Sequence, residues 1–377
     1  MSTEQTGGAL LDEGSYGCVF IPPLLCANEK RPNIRSDALP SDPFRGRELN
    51  EKGADMRGDM EGKLDKLIRA DDAEKEYIVA KEIRKIPLWR QYFSVPESIC
   101  TPAPVSRQIE TNLQDCTILN KMPLGRLRIL RSDYAGVPLN QLRIQIATFS
   151  FHSFMVHFLE GAALMALFGV VHCDLHSGNV LTDRANVPRI IDFNRALSIN
   201  HTDQIRSKMA LAYFGNRNLI QVAPDWSLLC GRIEGMSKDK IIDDLMENSV
   251  WLKKIQSFLG VSAASQRDSL ETFYTKSKSA QTANLELWFK SYWRMVDSWA
   301  IGTLLINTLL KLLLWPSFQS TDYSRNAAKI KDVLRKMTAV SPLERIDSVQ
   351  ALALLDPGNY ILRKYAGDWL EKVGTGT

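Results

Sequence analysis

The chain has 377 residues, 45% of them hydrophobic, and its 47 basic and 43 acidic side chains leave a net charge of +4; this gives ample material for a large core and excludes a dedicated nucleic-acid surface. Six cysteines (Cys18, Cys26, Cys100, Cys116, Cys173, Cys230) are scattered without any Cys-x-x-Cys pair, so free thiols in a reducing compartment are expected rather than a disulfide framework or a zinc site. No signal peptide opens the sequence, and the longest apolar run, Ala300 to Pro316, is broken by Asn307 and Lys311, which predicts a buried helix and no membrane partner.

After a polar start, Leu10 to Phe20 reads as a strand, a glycine turn and a second strand beginning at Val19. In Gly14-Ser15-Tyr16-Gly17-Cys18-Val19 the two glycines let backbone N–H groups approach a phosphate with no Cβ in the way. Taken alone, this pattern is as often an ordinary hairpin. From 27 to about 61 the chain is charged, carries Pro32, Pro40 and Pro43, and shows no periodicity. A surface insertion without fixed structure is expected there, with Lys30, Arg31 and Arg35 simply solvated.

Lysines beyond this point compete for the role of phosphate anchor. Val79-Ala80-Lys81 looks like a strand, but Ala73, Tyr77, Ala80, Ile83 and Ile86 recur at helical spacing and predict an amphipathic helix over 71–86. Leu64 to Ile68 reads instead as a short strand with Leu64, Lys66 and Ile68 on one face, followed by the helix-start residues Asp71 and Asp72. A lysine on a strand paired with a glutamate on the next helix can order the phosphates of a nucleotide. Lys66 with Glu76 is therefore the chosen pair; Lys63, Lys81 and Glu74 are the rivals.

Pro87 to Pro104 is read as a proline-punctuated connector, Thr117 to Lys121 and Leu127 to Leu130 as two strands, and 141 to 168 as a long core helix carrying His152 and His157 as packed or exposed side chains. Next comes Val171-His172-Cys173-Asp174-Leu175-His176-Ser177-Gly178-Asn179-Val180-Leu181, and after it Arg189-Ile190-Ile191-Asp192-Phe193-Asn194. Val180-Leu181 and Ile190-Ile191 predict a small hairpin closed over the turn-rich stretch 182–188. Such a hairpin brings Asp174, Asn179 and Asp192 into one cleft. Asn179 and Asp192 offer hard oxygen ligands for Mg²⁺. Asp174 stays free to accept a proton from a hydroxyl, the division of labour found in phosphoryl transfer from ATP.

Further on, Val222-Ala223-Pro224-Asp225 precedes a region of helical patterns at about 232–290, then Val296-Asp297-Ser298-Trp299-Ala300-Ile301-Gly302, then Arg345, then a last helix beyond Pro357 and Gly358.

His-x-Asp-Leu-x-x-x-Asn followed by Asp-Phe-x resembles the catalytic loop and metal motif of the protein kinase superfamily. The glycine turn then resembles the kinase Gly-rich loop from its second glycine onward, with Asp12 in place of the first. The N-terminal motifs are similar to those of serine/threonine kinases of large double-stranded DNA viruses. The resemblance implies an α+β bilobal fold: residues 1–135 as a β-rich N-lobe with the 27–61 insertion, and 136–377 as a helical C-lobe with the 232–290 insertion. It implies a serine/threonine protein kinase using ATP and Mg²⁺, with Asp174, Lys66, Glu76 and His176 catalytic. Asn179 and Asp192 would hold the metal. Gly14, Ser15, Tyr16, Gly17, Val19 and Lys66 would lie on the nucleotide, with the backbone of Asp133 and Ala135 at a hinge meeting adenine and Ser132 behind it. Asp225 and Arg345 resemble the ion pair that closes the kinase activation segment, and Asp297 the helix residue that supports the catalytic loop.

The implied partner is a viral or host protein substrate, with no nucleic acid, for a monomer in the host cytoplasm or packaged in a virion. Three departures stand out: Cys173 replaces Arg, His176 replaces Lys, and Asn194 replaces Gly. Asp-Leu-His-x-Gly-Asn is also similar to the aminoglycoside- and choline-kinase branch, which makes a small-molecule phosphotransferase one alternative. A catalytically weak scaffold is the other. At neutral pH an ordinary imidazole keeps only part of a positive charge, so His176 would be a weaker phosphate cation than Lys.

Overall fold

The computed structural model describes residues 9–14, 17–21, 23–29, 62–108, 113–141, 144, 149–200, 204–321, 323–374 and 376. Ser15, Tyr16 and most of the expected insertion lie outside them. The chain is mixed α+β, 57% helix and 12% strand, with antiparallel sheet toward the N-terminus and helices toward the C-terminus. It divides into two units: residues 1–84 with 94–134, and residues 85–93 with 135–377.

In the first unit, β1 (Ala9–Gly14), β2 (Gly17–Ile21), β3 (Lys63–Arg69), β4 (Ser98–Cys100) and β5 (Leu127–Asp133) form one antiparallel sheet in the order β1-β2-β3-β5-β4. Helix α1 (Ala70–Ile83) follows β3 directly. Strand alternation divides the apolar residues between two faces. Leu67, Leu127 and Ile129 pack with Phe20, Leu24 and Leu113, while Ile68 and Leu130 pack with Ala73 of α1. Between β3 and β5, Asp65 stands opposite Arg131, and the buried carboxylate takes a bidentate bond at 2.9 and 3.0 Å. Gly17 is required by close packing: a Cβ there would collide with the Leu67 carbonyl.

Two expectations fail in this unit, and a third gains detail. Thr117–Asn120 is a 3-10 turn, not a strand. The Pro87–Pro104 connector contains the edge strand β4. Most plainly, four of the six cysteines are paired: Cys18 with Cys116 and Cys26 with Cys100, across 98 and 74 residues of sequence. The free-thiol reading of these four is overturned. Sequence spacing carried no sign of the pairing because only the folded sheet brings these segments together. Cys173 and Cys230 are free and buried.

In the second unit, α2 (Trp89–Tyr92) and β6 (Val137–Pro138) precede α3 (Phe151–Leu167). Helix α3 starts later than expected because Ser150 caps it, accepting from the Ser153 N–H, while Phe149 stays outside. Strands β7 (Val170–Val171), β8 (Val180–Thr182), β9 (Pro188–Ile190) and β10 (Leu197–Ser198) form two small sheets, β10-β7 and β6-β8-β9. Helices α4 (Ile205–Met209), α5 (Tyr213–Asn216) and α6 (Pro224–Ile233) carry the chain into the expected helical region. There lie α7 (Lys238–Asn248), α8 (Val250–Leu259), α9 (Ala263–Lys276), α10 (Lys278–Gln281) and α11 (Leu285–Tyr292). Each of these five starts on a serine or asparagine side chain that accepts an orphan N–H: Ser237, Ser249, Ser262, Ser277 and Asn284. The predicted apolar helix is α12 (Val296–Leu312), buried along nearly its whole length. Then follow α13 (Pro316–Gln319), α14 (Tyr323–Met337), α15 (Ser348–Leu355) and α16 (Trp369–Val373). No helix among the described residues is long and apolar enough to cross a membrane.

Candidate active site

In the first unit, β3 runs antiparallel to β2 and puts Lys66 opposite Val19, the strand residue after the glycine turn. Two turns into α1, Glu76 is buried and turned to the sheet; Lys66 Nζ lies 2.9 Å from its Oε2 and 3.1 Å from its Oε1. The rivals are engaged elsewhere. Lys63 pairs with Asp133 at 2.6 Å and Glu97 at 3.1 Å, and these carboxylates outweigh partial burial to raise its pKa. Lys81 sits over the Tyr77 ring, 4.8 Å from its centroid, and Glu74 is exposed. The Asp133 carbonyl accepts from Ser94 Oγ at 2.9 Å. Ser132 lies beside it on β5, opposite Leu64. Ala135, in the second unit, is buried.

In the second unit, the predicted hairpin is β8 and β9, in register from Val180–Ile190 to Thr182–Pro188. One further backbone bond, Ile191 N–H to the Asn179 carbonyl at 3.0 Å, extends it to the residues that matter. The Asn179 Nδ2 donates to the Asp174 carbonyl at 2.9 Å. Asp174, Asn179 and Asp192 are thereby tied to one end of one hairpin. His172 fastens the two halves: its Nε2 meets the Ile191 carbonyl at 2.9 Å, its Nδ1 meets the Asp174 N–H at 3.3 Å, and its ring packs on Phe193.

The loop is held from below by α12. Asp297 accepts from the His172 N–H at 2.6 Å and the Cys173 N–H at 3.0 Å. Burial raises the Asp297 carboxyl above the usual range, and the two N–H donors and His172 pull the other way. Burial also pushes the Cys173 thiol well up, so this cysteine is not a nucleophile at neutral pH. Cys173 and Asp192 both adopt left-handed backbone, φ +63° and +61°, which is strained for side chains other than glycine. His176 folds back, its Nδ1 accepting the Gly178 N–H at 3.1 Å.

Asp225 and Arg345 are both fully buried and meet at 2.5 Å. The Trp288 Nε1 of α11 donates to the second Asp225 oxygen at 3.1 Å. The Tyr213 hydroxyl and Arg217 both bond Asp244 of α7, at 2.8 and 2.7 Å. The helical region at 232–290 thus braces the segment that ends at Asp225.

Sequence reading missed one site residue. Gln221 Nε2 donates to Asp174 Oδ1 at 2.9 Å. No motif singles out this glutamine; only the path of the segment before α6 brings it there.

The donor set suits a hard cation. The Asn179 amide spends an N–H on the Asp174 carbonyl, and Asp192 follows Ile191, whose N–H is bonded to the Asn179 carbonyl at the same hairpin end. Among the described residues no group of three or more His, Cys, Asp and Glu side chains is arranged to hold a metal ion. One carboxylate and one amide oxygen fit an ion that keeps several of its waters, as magnesium does. No protein-family model matches the chain, and no curated protein matches it either.

Proposed function

We propose that this protein is an ATP-dependent serine/threonine protein kinase with a bilobal kinase-like fold, acting on viral or host proteins. The observation that carries the reading is the hairpin end in the second unit. There a carboxylate with one accepting oxygen uncommitted to Gln221, an amide oxygen and a second carboxylate are set by backbone bonds and by Asp297. Asp174 would accept the proton of the incoming Ser or Thr hydroxyl, and Asn179 and Asp192 would hold a magnesium ion, which would offset the charge that develops on the phosphoryl group donated by ATP. Lys66, oriented by Glu76, binds the α- and β-phosphates, and the backbone around Gly14 and Gly17 covers them. His176 stands where a lysine is usual, within reach of the γ-phosphate by this reading. The buried Asp225–Arg345 pair and the Asp297 support favour a protein kinase over the small-molecule branch, which lacks both by resemblance.

The test is transfer of radiolabelled γ-phosphate from ATP to a generic protein substrate, with small alcohols in parallel. Wild type is expected to label protein, and Asp192→Ala and Asp174→Asn are expected to lose at least about 100-fold of that rate. Labelling that persists in Asp192→Ala assigns the activity to a contaminant. Labelling of alcohols alone moves the protein to the small-molecule branch.

A further inference from the structure

We infer that Gln221 is a positioning residue for Asp174: its amide fixes which carboxylate oxygen faces the substrate hydroxyl. This rests on the phosphoryl-transfer reading and deepens it.

Three elements hold Gln221 in place. The carbonyl of the preceding residue, Ile220, accepts from Thr303 Oγ1 at 2.9 Å, and Thr303 is fully buried on α12. The same helix, about 9 Å nearer its start by helix rise, holds the His172 and Cys173 N–H groups through Asp297. One rigid helix therefore sets both ends of the Gln221–Asp174 bond. The start of α8 fixes the segment again: Asn218 accepts from the Val250 N–H through its side chain at 3.0 Å and from Trp251 Nε1 through its carbonyl at 2.9 Å. Val222 N–H closes the turn onto the Leu219 carbonyl.

The chemistry follows from the geometry. Rotation of a carboxylate about its last torsion is soft, so an unrestrained Asp174 would present either oxygen over a broad range of angles. A charge-assisted bond to Oδ1 removes that freedom and leaves Oδ2 for the proton. Proton transfer needs the acceptor within hydrogen-bond reach and aligned, so loss of this restraint falls on the chemical step and not on nucleotide binding.

The experiment uses the full chain with Mg-ATP and a generic protein substrate, comparing Gln221→Leu, Gln221→Glu and Gln221→Lys, each first shown to melt as wild type does. Gln221→Leu is expected to lose about ten-fold in kcat with KM for ATP changed less than about two-fold. Gln221→Lys, which keeps an N–H donor, recovers part of the loss. Gln221→Glu, equal in shape but an acceptor, falls below Gln221→Leu. A purely structural role predicts the reverse order for the isosteric Glu, and that result overturns the inference, as does kcat within about two-fold of wild type in all three. An active wild type insensitive at Gln221 sinks this inference alone; a wild type with no transfer sinks the functional reading and this inference together.

Discussion

Cys173 and Asp192 bracket the chemistry in a backbone conformation that costs about 1–3 kcal/mol each for a residue with a Cβ. The structure meets that cost with fixed bonds: Asp297 on the Cys173 N–H, and the His172 ring between the two strands. Removing the Asp297 carboxylate orphans two buried N–H groups, each worth about 1–3 kcal/mol. Lys66 is argued at the same scale. It is the lysine with a buried glutamate partner on the following helix, whereas Lys63 and Lys81 are held by other groups. Lys66→Ala is therefore expected to cut phosphoryl transfer about 100-fold. Lys81→Ala should change it less than about two-fold, since it removes only an exposed cation–π contact. Parallel rate measurements on the two variants decide it, and equal losses would refute the choice of Lys66.

Elements are joined here by a few long-range ties. The disulfides Cys18–Cys116 and Cys26–Cys100 tie β2, and the chain just after it, to Cys116 and to β4. Around Cys116 the described residues form only short 3-10 turns, so covalent closure limits how far this unfolded chain can range. Losing a native disulfide of this kind costs about 2–5 kcal/mol. A thiol reductant, or Cys18→Ser, is expected to lower the melting midpoint. Non-reducing mass spectrometry should find four fewer thiol hydrogens than the reduced chain. An unchanged mass and midpoint would count against the pairing. The second tie is the buried Asp225–Arg345 pair with its Trp288 donor. Asp225→Ala leaves a buried guanidinium with carbonyl partners only, and is expected to destabilise by about 3–5 kcal/mol in denaturant titration. Trp288→Phe, which unpairs a buried carboxylate oxygen and leaves a cavity in the core, should cost about 2–4 kcal/mol.

For the whole molecule, the described residues after Asp192 are held by bonds of their own. Arg195 donates to the Lys208 carbonyl, Lys208 Nζ donates to the Ala196 carbonyl at 2.7 Å, and Tyr213 and Arg217 reach Asp244. Cys173, where an arginine would grip a phosphorylated segment, is an uncharged buried thiol. Full activity is therefore expected after phosphatase treatment; an inactive dephosphorylated preparation would show that a phosphate is needed after all. The hairpin, the α1 helix, the Lys66–Glu76 pairing and the Asp225–Arg345 pair were legible in the chain. The first three rest on local period and short-range spacing, whereas the Asp225–Arg345 pair, 120 residues apart, was expected from the family resemblance alone. Beta or 3-10 geometry at Thr117, the start of α3 at Ser150, the two disulfides and the bond from Gln221 to Asp174 were not legible. The disulfides and the Gln221 bond depend on which distant segment arrives beside them, 98 residues away for one disulfide and 47 for Gln221, whereas the α3 start is a local Ser150 cap that the surrounding apolar run obscured. Sequence alone determined the residue types and local elements of the site, because hydrophobic period and turn chemistry act over a few residues. Only the tertiary structure decided which cysteines pair and what holds the Asp174 carboxylate, because those contacts exist only once packing has closed the long loops between them.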